Sequence, residues 1–314
     1  MKNIVQKFDF NEEYMLNHDA VVFTLNKKTT NGHIYSWNVA PRFFPEDMKD
    51  SPIRIKYLME NAKKVGLDDL VMADQQIGDK LIEECHEISF DEFKEYYDSE
   101  VYKREGTVWN VDKFYNALFM TKETHDKVKS EIGRSGSLVF PAADCAVIRF
   151  YDPKKNVIGL THSDAVHTTR GIIDKSVSYM VEHFGSNKED IEVFVGAFAK
   201  DGWTYDKIPD FALNEDGSLN DIWKGYIFEE NGKYVINYGD KIYEQIKDTG
   251  VSMGKVYFDP NNTLFNDDFF SNSRSYNSRV NGVATYREGR NMMGITFDAK
   301  EVVEKSEQEH VILR

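Results

Sequence analysis

The stretch from Asp144 to His162 constrains the fold of this chain more than any other, because it reads as one β-hairpin. Asp144-Cys145-Ala146-Val147-Ile148-Arg149-Phe150-Tyr151 is rich in β-branched and aromatic residues, Asp152-Pro153-Lys154-Lys155 carries turn formers, and Asn156-Val157-Ile158-Gly159-Leu160-Thr161-His162 is the returning strand. A turn centred between Pro153 and Lys154 places Cys145 directly opposite His162, with Cβ atoms about 4.5–5.5 Å apart. A thiol facing an imidazole can be half of a metal site or a nucleophile with its base. The residues alone leave both open, beside the plainer reading of a small buried Cys and a capping His. The helix expected after His162 points its N-terminus at the hairpin end, where its amides would favour a thiolate or an anion.

Further strands are expected at Ala20–Leu25, Ile34–Val39, Asp69–Ala73, Leu138–Phe140, Ile191–Phe198, Gly225–Glu229, Lys233–Tyr238, Lys255–Asp259 and Met292–Phe297. Asn231-Gly232 is a hairpin turn, since both residues tolerate positive φ. Ser51-Pro52 opens a helix that Gly66 ends, a second helix buries Ile173, Val177, Met180, Val181 and Phe184 before Gly185, and a third runs near Asp240–Thr249. Ser89-Phe90-Asp91-Glu92 is a capping box, opening an acidic surface helix within an insertion at about 83–112. Hairpins and helices without strict β-α alternation predict an α+β fold, and 314 residues suffice for one large domain or two ordinary ones.

Composition narrows the function. With 53 acidic against 39 basic residues the net charge is −14, which argues against nucleic acid or an anionic membrane as partner. No apolar run approaches the ~18 residues of a membrane span, and the first residues lack a signal-peptide core. Two cysteines and no disulfide framework suit a reducing cytoplasm. His-Glu-x-x-His and Cys-x-x-Cys are both absent, so any metal site is assembled from distant segments.

Other residues carry possible chemistry. His167, Thr168 and Arg170 follow His162 and could bind a phosphate or carboxylate, or simply form a polar first turn. Arg274, Arg279, Arg287 and Arg290 could clamp an anion or neutralise acidic surface. Gln75 sits at a strand-to-turn junction, and Cys85-His86 reads first as a buried thiol beside a surface imidazole.

In this order the elements resemble the laccase-domain family, also called multicopper polyphenol oxidase-like, which includes purine nucleoside phosphorylases and the bacterial peptidoglycan editing factor. The resemblance runs from about Val21 to Phe297. In that family Gln-x-His-Gly, Asp-Cys and His-Ala-Gly-Trp-Arg-Gly elements supply a His, a Cys and a His to one zinc. Asp144-Cys145 matches the second element and His162 opens the third. Phe269-Phe270-Ser271-Asn272-Ser273-Arg274 looks like the family's Phe-Phe-Ser-Tyr-Arg-Arg, and Gly289-Arg290 like its closing Gly-Arg. Gln75-Gln76-Ile77-Gly78 aligns with the first element, but Ile77 stands where the zinc histidine should be; Ala165 and Val166 replace Trp and Arg, and Ser273 replaces an Arg.

The resemblance implies a single domain over residues 1–314, of mixed and antiparallel sheets with flanking helices in the laccase-domain fold, similar to that of the cytotoxic necrotizing factor cysteine hydrolase. It implies zinc on Cys145 and His162, a catalytic group of Cys145, His162 and Asp144, and substrate contacts from Gln75, His167, Arg170, Arg274 and Arg290. The substrate expected is a small molecule, a purine nucleoside with phosphate, undergoing phosphorolysis or deamination. A metal-independent Cys–His hydrolase or amidase and a catalytically degenerate binding paralogue are the alternatives. Copper is not expected, since no blue-copper pattern of two His, a Cys and a Met occurs.

Overall fold

The computed structural model describes residues 19–25, 67, 69–74, 85–98, 108–275 and 290–298. The expected helix from Ser51 to Gly66, the strand Ile34–Val39, the Gln75–Gly78 element, Arg279 and Arg287 lie outside the described residues.

In chain order the strands are β1 (Ala20–Leu25), β2 (Asp69–Asp74), β3 (Cys85–Glu87), β4 (Val108–Phe114), β5 (Ala117–Thr121), β6 (Gly136–Ala142) and β7 (Ala146–Asp152). They continue as β8 (Val157–Ser163), β9 (Glu192–Val195), β10 (Trp203–Tyr205), β11 (Ile227–Glu230), β12 (Lys233–Ile236), β13 (Val256–Phe258) and β14 (Asn291–Phe297). The α-helices are α1 (Phe90–Asp98), α2 (Lys122–Ile132), α3 (Ala165–Thr169), α4 (Ile172–Phe184) and α5 (Tyr238–Asp248). Among the described residues the strands form three sheets, ordered β1-β14-β6-β2-β4, β13-β9-β7-β8-β5-β3 and β10-β12-β11. The first two mix parallel and antiparallel pairs, giving the mixed-sheet single domain with flanking helices that was expected. Among the described residues no helix is long and apolar enough to cross a membrane.

The two large sheets pack face to face. Val22, Leu138, Phe140, Met293 and Ile295 from one meet Leu118, Val147, Tyr151, Ile158 and Leu160 from the other. The opposite face of the six-stranded sheet presents Ile148, Phe150 and Phe119 to α4, α5 and the aromatic residues around the small sheet. β7 and β8 are therefore covered on both faces, and every residue in them is buried. This double burial explains their nearly continuous apolar character, which is usual for strands inside a layered fold.

The hairpin register differs from the expected one. Val147, not Cys145, stands opposite His162. Asp152 Oδ1 accepts from the amides of Lys154 and Lys155 at 2.8 and 3.1 Å, and Asn156 takes a left-handed conformation at φ 53°. The loop thus holds Pro153 to Asn156 and its centre falls between Lys154 and Lys155, shifting the partner of His162 by two residues. A shift of two preserves the face, so Cys145 stays a diagonal neighbour of His162.

Other departures have local causes. The single helix expected after His162 is two, α3 and α4, separated by Gly171 at φ 72°. The helix of the insertion is not a surface element: Phe93 and Tyr96 of α1 enter the inter-sheet core. Strands β3, β4, β5 and β10 and helix α2 went unanticipated. In α2 only His125 and Val128 are buried, too thin a stripe to read as an amphipathic period. Asn231-Gly232 does form its turn, at φ 52° and 74°, between β11 and β12.

The capping box at α1 forms as expected: the Ser89 amide donates to Glu92 Oε2 at 2.9 Å and the Glu92 amide to Ser89 Oγ at 3.3 Å. Burial opposes ionisation of Glu92, but bonds from His86 and Ser89 outweigh it and lower its pKa to about 2. The ionised carboxylate therefore contributes stability above its ordinary pKa, and this is lost as pH falls towards 2. Glu92→Gln should remove about 1–2 kcal/mol at neutral pH after allowance for solvent screening, and flatten the acid limb of a urea-unfolding series. Ser89→Ala should cost about 1 kcal/mol at all pH values.

Candidate functional site

The candidate site lies at the open end of the β7–β8 hairpin. Cys145 is the residue before β7, partly exposed and packed on the inter-sheet core. His162 is the penultimate residue of β8 and only 4% exposed. Its amide donates to the Asn116 carbonyl at 2.8 Å, just before β5. Its ring stands 6.2 Å from that of Phe140, and its Nδ1 is buried with no hydrogen-bond partner.

The turn after β8 builds the second half. Asp164 caps α3: its Oδ1 accepts from the His167 amide at 2.7 Å and lies 2.8 Å from His167 Nδ1. Asn116 Nδ2 lies 2.8 Å from His167 Nε2. An amide NH2 can only donate, so Nε2 accepts and Nδ1 carries the proton shared with Asp164. The turn is clamped from behind. Tyr238 donates its hydroxyl to the Ser163 carbonyl and lies 3.0 Å from Thr168 Oγ1. Gln245 Nε2 donates to the Thr168 carbonyl at 2.8 Å, and Trp223 Nε1 to Thr169 Oγ1 at 2.8 Å. His167 is fully buried by this packing.

Electrostatics assign protonation states. Burial, then the charges of Asp164 and Asp144, push the Cys145 thiol well above its ordinary pKa, with Arg290 opposing weakly. Burial likewise lowers His162 to about 4, although Asp164 pulls the other way. Asp164 sits below the ordinary carboxylate range: burial raises it, but the bonds from His167 and the two imidazoles outweigh that. The site at neutral pH therefore holds a thiol, a neutral imidazole with a bare nitrogen, and a carboxylate. The helix N-terminus expected to favour a thiolate is instead closed by Asp164, whose charge disfavours one.

The structure brings together some of the expected residues and separates others. Arg290, partly buried, is near enough for its charge to act on both Cys145 and His162. Asp144 is a tether: its oxygens accept from Thr263 Oγ1 at 2.8 Å and the Ser273 amide at 2.7 Å, and its carbonyl from the Ala199 amide at 3.0 Å. Arg274 turns to its own loop, bonding Asp267, the Asn266 carbonyl and the Phe269 carbonyl. Arg170 caps the end of α3 through its amide. Gln75 lies outside the described residues. His86 bonds Glu92 at 2.8 Å and stacks on Tyr115 at 4.3 Å, a structural role.

Sequence reasoning missed Asn116, Asp164, Tyr205 and Tyr238. Tyr205 of β10 lies close enough for Cys145 and Asp144 to reinforce the effect of burial in raising its hydroxyl. Asp164 had a signal, a capping carboxylate between two histidines; Asn116 had none, since its role arises from strands distant in sequence.

The donors fit a metal ion. A nitrogen of His162, an oxygen of Asp164 and a nitrogen of His167 all lie within 4.8 Å of one another, the one such grouping of His, Cys, Asp or Glu among the described residues. Imidazole nitrogen and carboxylate oxygen suit zinc and other first-row divalent ions, and a neutral His162 ring is in the form a metal requires.

Two measurements check the protonation states. In protein stripped with EDTA, alkylation of Cys145 near neutral pH should be at least ~10-fold slower than in the urea-unfolded chain, followed by peptide mass spectrometry. The His162 ring should titrate by NMR with a midpoint near 4, as its depressed pKa demands.

The fold agrees with that of known structures, and a family model matches the sequence. The family model for multi-copper polyphenol oxidoreductase laccase matches residues 105–296. Among solved structures, YlmD from Geobacillus stearothermophilus is 18% identical with a TM-score of 0.59, covering 89% of this chain and 92% of that one. The Bacillus licheniformis hypothetical protein YfiH is 20% identical with a TM-score of 0.55, covering 81% and 84%. The Neisseria meningitidis protein NMB0706 is 16% identical with a TM-score of 0.53, covering 88% and 94%. No curated protein matches in sequence. A family match across more than half of the chain, on the fold these structures share, makes this chain a divergent member of the multi-copper polyphenol oxidoreductase laccase family.

Proposed function

We propose that this chain is a cytoplasmic enzyme that cleaves the N-glycosidic bond of purine nucleosides with phosphate, at the site formed by Cys145 and His162. The observation that carries this reading is the neutral, buried His162, its Nδ1 without a hydrogen-bond partner, near the partly exposed Cys145. Such an imidazole is a poised proton acceptor, or a metal donor, and not a cation.

In this reading Arg290 attracts the phosphate, its charge being the positive one that acts on both Cys145 and His162. A phosphate oxygen forms the bond to the anomeric carbon as the bond from that carbon to the purine nitrogen breaks. The proton released by the attacking phosphate is passed to the leaving base, so the cycle closes without net proton change. Tyr205, whose hydroxyl stays protonated, is a donor for a polar edge of the substrate. A divalent ion held by the histidines and Asp164 would supply Lewis acidity. Asp144 acts as a positioning residue, holding the start of β7 against the loops at Thr263 and Ser273.

The thiolate-based hydrolase is less well supported. Burial and two carboxylates hold Cys145 in the thiol form, opposite to the electropositive surroundings of reactive cysteines.

Incubation with inosine and with adenosine, with and without phosphate, tests the proposal by chromatography of the products. Free purine and ribose 1-phosphate should appear only with phosphate, and His162→Ala should lower kcat by roughly 10²–10⁴-fold. Ammonia release independent of phosphate would replace phosphorolysis by deamination. No turnover of either nucleoside would overturn the reading.

A further inference from the structure

A catalytic metal site takes about three protein donors beside a water. The turn between β8 and α4 offers two. Asp164 and His167 stand on consecutive sides of one helical turn, with Asp164 Oδ1 2.8 Å from His167 Nδ1. His162, whose buried Nδ1 has no hydrogen-bond partner, brings a ring nitrogen to the cluster as the third donor. Cys145 is not part of that grouping.

We propose that this turn is the metal site of this chain, with His162, Asp164 and His167 as a two-histidine, one-carboxylate set for a divalent first-row transition ion. Three protein donors leave room for water or substrate, as catalytic sites require. The ion takes the place of the proton now shared between Asp164 and His167. That proton moves from Nδ1 to Nε2 of the same ring, so no charge is left uncompensated there. Asn116 then turns its amide so that its oxygen, which now has no partner, accepts from Nε2–H. An outer partner of this kind is the usual support of a ligating histidine. The frame for it already exists: Asn116 also holds the His162 amide, and Tyr238, Gln245 and Trp223 fix the turn.

This inference deepens the proposed function by giving its site a metal, and its test is independent of turnover. EDTA-treated full-length protein is titrated with cobalt(II) and with zinc, reading stoichiometry by elemental analysis and ligand type by absorption. One ion per chain is expected, with cobalt d–d bands and no sulfur-to-cobalt charge-transfer band. Asp164→Asn keeps the capping acceptor and removes the charge; it and His167→Asn should each weaken uptake by more than about 10-fold. Cys145→Ser should leave uptake unchanged. A sulfur charge-transfer band lost in Cys145→Ser, or uptake unaffected by both turn variants, overturns the proposal while leaving nucleoside turnover open. Absence of any uptake by the wild-type chain also overturns it. If the turn variants fail to fold by circular dichroism, the cobalt spectrum and Cys145→Ser decide.

Discussion

Burial of the β7–β8 hairpin on both faces is the constraint on which the rest of the structure depends. One face packs against the five-stranded sheet and the other against α4, α5 and the aromatic cluster of the small sheet. Each large apolar side chain so buried contributes roughly 1.5–3 kcal/mol. Because the hairpin is the shared middle layer, its register sets where every neighbouring element must lie. Cys145, His162 and Asp164 gather at its open end, where the chain turns into α3.

The same layering explains the electrostatics. His162 is deep enough for burial to keep its ring neutral, yet it sits at the end of a strand where the chain turns and polar groups collect. Asp164 caps the next helix and so brings a carboxylate to the thiol and both imidazoles. The result is a negative, donor-rich corner with Arg290 as the opposing charge. A corner of this kind favours a cation over a thiolate, and for that reason the metal-dependent reading agrees better with the geometry than the cysteine-nucleophile one.

Fixing His167 took contributions from across the chain. Asn116 arrives from the start of β5, Tyr238 and Gln245 from α5, and Trp223 from the segment before β11. Together their hydrogen bonds place the α3 turn. None of these residues carries a local sequence signature, since a single Asn or Tyr between apolar residues has many possible fates.

Taken alone, the sequence determined the hairpin, the α+β class, the capping box at Ser89–Glu92, the Asn231-Gly232 turn and the prominence of Cys145 and His162. These are short-range features, decided by turn chemistry and by which residues tolerate a given backbone conformation. Tertiary structure decided the rest. It moved the partner of His162 by two residues through the Asp152 turn, drew Phe93 and Tyr96 of a nominally surface helix into the core, and turned Arg274 away into its own loop. It also set the protonation of Cys145, His162 and Asp164, because desolvation and neighbouring charges depend on which distant segments close over a group.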